Sequence, residues 1–333
     1  MILVTGGRGF LGGAIVKMLH EKGDKVRSLA RHHSSALEKM GVEQFIGDLS
    51  DRDFVNSAVS GCDLVYHVAA KAGVWGQYDD FYRSNVIGTQ NILAACRQAG
   101  VRRLVYTSSP SVVFDGGNME GVDESVPYPD NFHAYYPQTK ALAEQQVLAA
   151  NDDQLATVAL RPHLIWGPGD NHLVPRILER GRKGQLRKIG RGNNLVDTIY
   201  IDNAARAHLQ AATNLAPGSV VAGKAYFIAN DEPLPLWDIV NRILAAGNVP
   251  PVTRTISPGL AYAVGAIVES AYRFFHLQGE PRMTRFVAQE LATAHWFDLS
   301  AAKNDFGYRP EVSVDEGLRR LQSWLQQGKS GEA

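Results

Sequence analysis

Tyr136 and Lys140, four residues apart in YYPQTK, are the pair in this sequence best suited to proton chemistry. At the start of a helix that spacing sets both side chains on one face, and Pro137 suits a first helical turn. A phenol with a pKa of about 10 needs help to act near neutrality. A neighbouring ammonium stabilises the phenolate and supplies that help. A third group should hold the reacting oxygen. YTSSPS at 106–111 ends an apolar run in two serines, and of these Ser109 is the choice over Ser108, with Ser111 beside it. Y-x-x-x-K alone recurs by chance, so the pair acquires meaning only from what surrounds it.

The N-terminal turn provides the first such context. In TGGRGFLG, Gly6, Gly9 and Gly12 follow an apolar strand and open a helix. In a strand-turn-helix unit this spacing makes a dinucleotide site: one glycine for the turn, one for close approach to the pyrophosphate, one for helix packing. The free N–H groups and partial positive charge of the helix start then face the phosphates. Arg8, Phe10 and Leu11 belong to the same turn and are expected to border the cofactor.

An acid about 20 residues further on would normally hold the adenosine ribose. Here the second strand ends at Arg31, followed by His32 and His33, with no carboxylate. An arginine suits a 2′-phosphate, so NADP is expected ahead of NAD. Asp48 and Leu49 end the third strand where the adenine edge would lie. Ala69 and Ala70 end the fourth with side chains small enough to leave room, and Pro162 closes the sixth.

These groups need a scaffold, and the N-terminal half supplies one by alternation. Strands are expected at 2–5, 25–30, 43–49, 63–70, 102–109 and 156–162. Helices fall at about 10–21, 51–59, a long one ending near Ala99 with Gly100 as its cap, and 137–149. Such alternation implies a parallel sheet with helices on both faces, an α/β doubly wound fold. Beyond Pro162 the rhythm breaks, with WGPGD and DEPLP interrupting it. We therefore expect a dinucleotide-binding domain over 1–162 with returning segments near 195–230. A smaller interleaved substrate lobe over 163–325 and a disordered tail from 326 complete the division.

Composition excludes several classes. The 333 residues are 45% hydrophobic and 20% charged, with Lys plus Arg and Asp plus Glu each 34. A balanced charge argues against nucleic acid as a partner held by counterion release. Cys62 and Cys96 stand in no metal-ligand spacing, so no metal is expected. Without a disulfide framework a reducing cytoplasm is the simplest compartment. The first residues read as a buried strand rather than a secretory signal. The most apolar later stretch, 257–277, is interrupted by Glu269 and Arg273, too soon for a span of about 20 apolar residues. It is read instead as a helix that caps the substrate or touches a membrane surface.

In order along the chain, TGGRGFLG, Asp48-Leu49, HVAA, SNVIGTQN, YTSS, Y-x-x-x-K, RPHLIWGPGD and DTIYIDNAA resemble the extended short-chain dehydrogenase/reductase superfamily. The resemblance implies a Rossmann-type sheet, Tyr136 as proton donor and acceptor, Lys140 orienting the ribose, and Ser109 on the reacting oxygen. Asn85, in SNVIGTQN, matches a residue that bends a helix and supports the site. A homodimer through the helix before Gly100 and the one carrying Tyr136 is also implied.

KAGVWG, HLIWGPGDNHLVPRI, VDTIYIDNAARAH and the C-terminal PGLAYAVGAIVES most resemble the 3β-hydroxysteroid dehydrogenase-type branch. Trp75, Leu164, Trp166, Leu173, Val174 and Ile177 offer apolar walls suited to a bulky hydrophobic substrate. The branch implies ketone–alcohol interconversion, either reduction of a long-chain 2-alkyl-3-oxo acid, as in olefin biosynthesis, or oxidation of a sterol or 4-carboxysterol at its 3-hydroxyl. Lys71, His163 and His172 are candidates for a substrate carboxylate. Arg176, Arg180, Arg182 and Lys183 keep a nucleotide-sugar epimerase or dehydratase in view. A non-catalytic NADP sensor is the remaining alternative.

Overall fold

Leu3 and Val4, Val65 and Tyr66, and Leu104 and Val105 are adjacent pairs in which both residues are buried. Because neighbouring strand residues point to opposite faces, such pairs require a helical layer on each side of the sheet. The computed structural model, which describes residues 1–330, has that arrangement.

The elements run β1 (Ile2–Thr5), α1 (Phe10–Glu21), β2 (Val26–Ala30), α2 (Ser35–Lys39), β3 (Glu43–Ile46) and α3 (Arg52–Val59). Next come β4 (Leu64–His67), α4 (Tyr78–Phe81), a π-helical turn (Tyr82–Ile87), α5 (Gly88–Ala99) and β5 (Arg103–Thr107). A 3-10 turn (Pro110–Val113), β6 (Met119–Val122), α6 (Tyr135–Ala149), β7 (Ala156–Pro162) and β8 (Ile165–Trp166) follow. Then come α7 (Leu173–Arg182), β9 (Lys188–Ile189), β10 (Leu195–Val196), β11 (Ile199–Tyr200), α8 (Ile201–Asn214) and β12 (Lys224–Ile228). The chain closes with β13 (Leu234–Pro235), α9 (Leu236–Ala246), β14 (Thr255–Ile256), α10 (Pro258–Phe274), α11 (Arg285–Ala292), β15 (His295–Phe297), α12 (Ser300–Phe306) and α13 (Val314–Ser330).

Seven parallel strands form the main sheet in the order β12-β7-β5-β4-β1-β2-β3. Leu11, Ile15 and Leu19 of α1 pack on Val4, Tyr66 and Val105, with α8 alongside. On the opposite face, Val55 of α3, Ile92 of α5 and Val147 of α6 pack on Leu3, Val65 and Leu104. The chain winds outward through β2 and β3, then returns to place β4 on the other side of β1. A crevice therefore opens beyond the carboxyl ends of β1 and β4, where doubly wound sheets bind ligands.

Most expected elements are present, with shorter strands: β3 stops at Ile46 and β4 at His67. Gly100 caps α5 with a left-handed φ of 70°. The helix α2, capped by Ser34, was not foreseen. After β7 a four-stranded sheet in the order β13-β10-β15-β6 and two strand pairs build the smaller lobe. Leu195–Val196 lies in this smaller sheet, whereas β12 joins the large one. The tail expected from 326 is corrected in part, because α13 continues to Ser330; residues 331–333 lie outside the described chain.

Candidate active site

The turn after β1 is shaped by contacts that only glycine permits. Gly6 has φ 71°, and a Cβ there would sit 3.0 Å from the Ala69 Cα. A Cβ on Gly12 would come within 2.2 Å of the Gly6 carbonyl oxygen, so α1 could not begin where it does with a side chain at that position. Gly9 caps α1 without a side-chain hydrogen bond, leaving its first N–H groups open to a ligand. Thr5 ties this turn to β4: its hydroxyl accepts from the Val68 and Ala69 N–H groups at 3.1 and 3.0 Å.

Above the two strand ends lies a cleft of about 700 Å³. Gly6, Arg8, Gly9, Phe10, Leu11 and Gly12 form its floor, and Arg31 and His32 border it at the end of β2. Asp48, Leu49, Ala69, Ala70 and Pro162 line it at the ends of their strands. The Asp48 carboxyl is held below the usual carboxylate range, first by the Ser50 N–H, with smaller contributions from the Ser50 hydroxyl, Arg83 and Arg31. The uncapped helix start, the cradle that a Cβ would fill and the cationic border all fit a dinucleotide phosphate.

Ser109, Tyr136 and Lys140 line the same cleft. Tyr136 and Lys140 sit in the first turns of α6. The Lys140 ammonium is buried, donates to the Thr107 carbonyl at 2.5 Å and lies 4.1 Å from the Tyr106 ring centroid. Burial pushes it down to about 7, against the attraction of Glu144. The Ser109 and Ser111 hydroxyls are 2.9 Å apart, so Ser111 reaches the site through Ser109.

For Tyr136 the protein's own groups act against the expected acidification. Burial pushes the phenol up to about 12; hydrogen bonding with Ser109 pulls it down, and Glu290 raises it again. A buried phenol loses the solvation of its charged form, and the Lys140 ammonium is engaged by Thr107 rather than by the tyrosine. The Tyr136 phenol is therefore held in its protonated form.

Asn85 lies in the π-helical turn, outside the cleft wall. Its carbonyl oxygen accepts from the Lys71 N–H at 2.7 Å; its amide donates to the Lys71 carbonyl at 3.1 Å and to Thr139 at 3.0 Å. Thr89 donates to the Asn85 backbone carbonyl, His67 bridges Thr89 to Thr5, and Thr139 donates back to the Tyr135 backbone carbonyl. One buried polar chain thus connects the glycine turn, the π turn and the start of α6. His67 stays neutral, as burial pushes it down to about 3.

The expected substrate residues divide. His172 lines the cleft, as does Lys71, whose ammonium pairs with Asp80 at 3.0 Å. Trp75 instead lines a second cavity of about 750 Å³, with its ring 5.9 Å from Tyr272. Trp166 is corrected: it is fully buried, and its indole N–H donates to Thr198. His163 is corrected too, its ring packing edge-on against His295 and Phe297 outside the cleft. Val174 and Ile177 are core residues of α7, whereas Leu164, with φ 46°, does border the cleft. None of Arg176, Arg180, Arg182 and Lys183 lines either cavity.

Several contributors escaped the sequence reading. Thr107 lines the cleft, and so does Ser108, passed over in the sequence in favour of Ser109. Glu144 and Arg161, both buried, pair at 2.6 Å and fasten α6 to β7. Asp170 caps α7 by accepting from the His172 and Val174 N–H groups. Among the described residues no group of three or more His, Cys, Asp or Glu side chains could hold a metal ion.

A parallel doubly wound sheet with this cleft defines a dinucleotide-linked oxidoreductase of the extended short-chain type. The model of the 3-beta hydroxysteroid dehydrogenase/isomerase family matches residues 3–255, and the chain belongs to that family. It is 55% identical to a 2-alkyl-3-oxoalkanoate reductase of Stenotrophomonas maltophilia, over 97% of this chain and 98% of that one. A Shewanella oneidensis protein of the same name is 52% identical over 97% of this chain and 85% of its own. The sterol-4-alpha-carboxylate 3-dehydrogenase, decarboxylating, of Mus musculus is 37% identical over 95% of this chain and 88% of its own.

Among solved structures, gox2253 superposes with a TM-score of 0.79 at 25% identity, covering 98% of each chain. The Thermus thermophilus UDP-glucose 4-epimerase in complex with NAD gives 0.73 at 24%, again over 98% of each, a likeness of fold.

Proposed function

We propose that this protein reduces the 3-oxo group of a long-chain 2-alkyl-3-oxo acid to the 3-hydroxy acid with NADPH. The observation that carries the reading is that Ser109, Tyr136 and Lys140 line the same cleft as the glycine turn. The substrate class is supported by the 55% identity to a 2-alkyl-3-oxoalkanoate reductase.

When bound, the reduced nicotinamide supplies the hydride for the carbonyl carbon. Ser109 donates a hydrogen bond to the carbonyl oxygen and holds it near the phenol. As that oxygen gains negative charge, Tyr136 gives up its proton to it, leaving a phenolate that solvent reprotonates. Lys140 keeps its ammonium on the Thr107 carbonyl and turns its remaining N–H groups towards the cleft and the ribose. Gly6, Gly9 and Gly12 admit the pyrophosphate, Asp48 and Leu49 border the adenine, and Ala69, Ala70 and Pro162 leave space for the rings. Arg31 takes the 2′-phosphate, which supports NADP over NAD. His172 and Lys71 remain the proposed contacts for a substrate carboxylate.

A second reading, oxidation of a 3-hydroxysterol 4-carboxylate, is favoured by the 37% identity to the murine enzyme. Incubation with NADPH and a synthetic 2-alkyl-3-oxo acid separates the two. Consumption of NADPH with appearance of the 2-alkyl-3-hydroxy acid supports the main reading; turnover of carboxysterols alone overturns it.

The division near Pro162 into cofactor and substrate parts belongs to this proposal. So does a homodimer through α5 and α6, which sedimentation velocity tests. Cys62 and Cys96 are free, buried thiols, in keeping with the cytoplasmic location proposed here. No helix among the described residues is long and apolar enough to cross a membrane.

A further inference from the structure

Of twelve large hydrophobic side chains exposed among the described residues, seven fall between Leu260 and Leu277. Such concentration is not the scatter of single apolar residues that every surface carries. On α10 the face towards the body is made by Ala261, Gly265 and Glu269, all buried. Gly265 lies so close to the start of α11 that a Cβ would meet the Thr284 backbone at 2.7 Å. Glu269, the sole acid of the helix, is spent inward, accepting from the Arg285 N–H at 2.6 Å and its Nε at 2.8 Å.

The outward arc is apolar. Leu260, Val264, Ile267, Ala271 and Phe274 follow a 4-3-4-3 spacing that keeps them on one face. Ile267 is 69% and Phe274 78% exposed, and Phe275 continues the surface at 66%. Having one helix face bury against the protein while another shows aliphatic and aromatic groups to water is costly unless something covers the second.

What borders this face is cationic. Lys188 and Gly190 of the β9 segment bond to the Arg254 and Ile256 carbonyls of the β14 segment, which leads directly into α10. That brings Arg191 and Arg254, both exposed and in no ion pair among the described residues, beside the helix start. At the other end Arg176 pairs with Glu280 just beyond α10, and Arg273 is exposed on α10 itself. A second copy of the chain packing on this stripe would bring one cationic border against another. An acidic surface with an apolar interior matches both features.

We propose that α10 docks this protein on an anionic phospholipid bilayer, with the Leu260–Phe274 stripe and Phe275 in the acyl boundary and the Arg191/Arg254 border at the headgroups. Apolar burial supplies the anchor and the cations add attraction to acidic lipid. The inner side of the same helix, through Tyr262, Tyr272 and Arg273, walls the second cavity. Docking therefore sets that cavity beside the membrane. The proposal stands apart from the substrate reading, since vesicle binding is measured without turnover.

Co-sedimentation of the full chain with vesicles of phosphatidylcholine alone, and of phosphatidylcholine with phosphatidylglycerol, tests it. The anionic vesicles are expected to bind at least about tenfold more protein, with binding weakened by salt. Ile267→Glu with Phe274→Glu, both at exposed positions, should cut binding by about tenfold or more while leaving the circular dichroism spectrum unchanged. Arg191→Glu with Arg254→Glu should remove the preference for acidic lipid. No binding to either vesicle, equal binding to both, or binding untouched by these changes overturns the proposal. So does a vesicle-free dimer in sedimentation velocity that Ile267→Glu with Phe274→Glu dissolves, which would give the stripe to a second copy.

Discussion

Lys140 donates to the carbonyl oxygen of Thr107 at 2.5 Å, joining the first turns of α6 to the last residue of β5. Ser108 and Ser109 follow Thr107 directly, so the ammonium of a helix that also carries Tyr136 steadies the segment presenting the serine. Strand end and helix start thus form one unit, and Tyr136 and Ser109 keep a common frame.

The pH dependence follows from the Tyr136 phenol. With its pKa pushed up to about 12, the group stays almost wholly protonated through the neutral and mildly alkaline range, so a ketone reduction that draws its proton from Tyr136 keeps that donor there. Alcohol oxidation needs the phenolate, which becomes more abundant as pH rises towards that value. The kcat/KM for oxidation should therefore climb with pH, by up to about tenfold per unit, while that for reduction shows no alkaline loss from this group. Oxidation that is flat or falls with pH would contradict the assignment.

The proposed choice of NADP rests on Arg31, exposed at the border of the cleft. On that proposal, replacing it by aspartate would remove a charge-assisted contact to the 2′-phosphate and add a repulsive one. NADPH affinity should fall by roughly 10–100-fold with NADH affected far less. Equal losses for the two, measured by fluorescence titration, would show that Arg31 does not read the phosphate.

Stability tests the anchor beneath the site. Glu144 and Arg161 form a buried ion pair, with Tyr128 donating to the same carboxylate at 2.6 Å. Glu144→Gln leaves a buried guanidinium without its counter-charge and should cost about 3–5 kcal/mol in urea unfolding. The double change Glu144→Leu with Arg161→Met removes both charges and should cost less than the single one. A single variant within about 1 kcal/mol of the parent would show that the pair does not hold α6 in place.

What the sequence made legible was whatever backbone geometry forces. Gly6 and Gly12 had to be glycine because their neighbours leave no room, and Tyr136 and Lys140 share a face because helices repeat. Residue type does not say which side of a strand end an aromatic group takes: Trp166 turned into the core, and His163 turned from the cleft onto His295 and Phe297. Glu144 and Arg161 lie 17 residues apart in sequence, and only the packing of α6 on β7 brings them together. The His67–Thr89–Asn85–Thr139 chain depends on a π turn, which leaves no periodic trace. Leu164 reaches the cleft through a left-handed backbone that its residue type disfavours.

Tyr136→Phe tests the central claim most directly, because it removes one oxygen and leaves the ring in place. Turnover of a 2-alkyl-3-oxo acid should drop by about 100- to 10,000-fold, with the NADPH dissociation constant changed by no more than about twofold. Turnover near that of the parent protein, with cofactor still bound, would take the proton-donating role away from Tyr136.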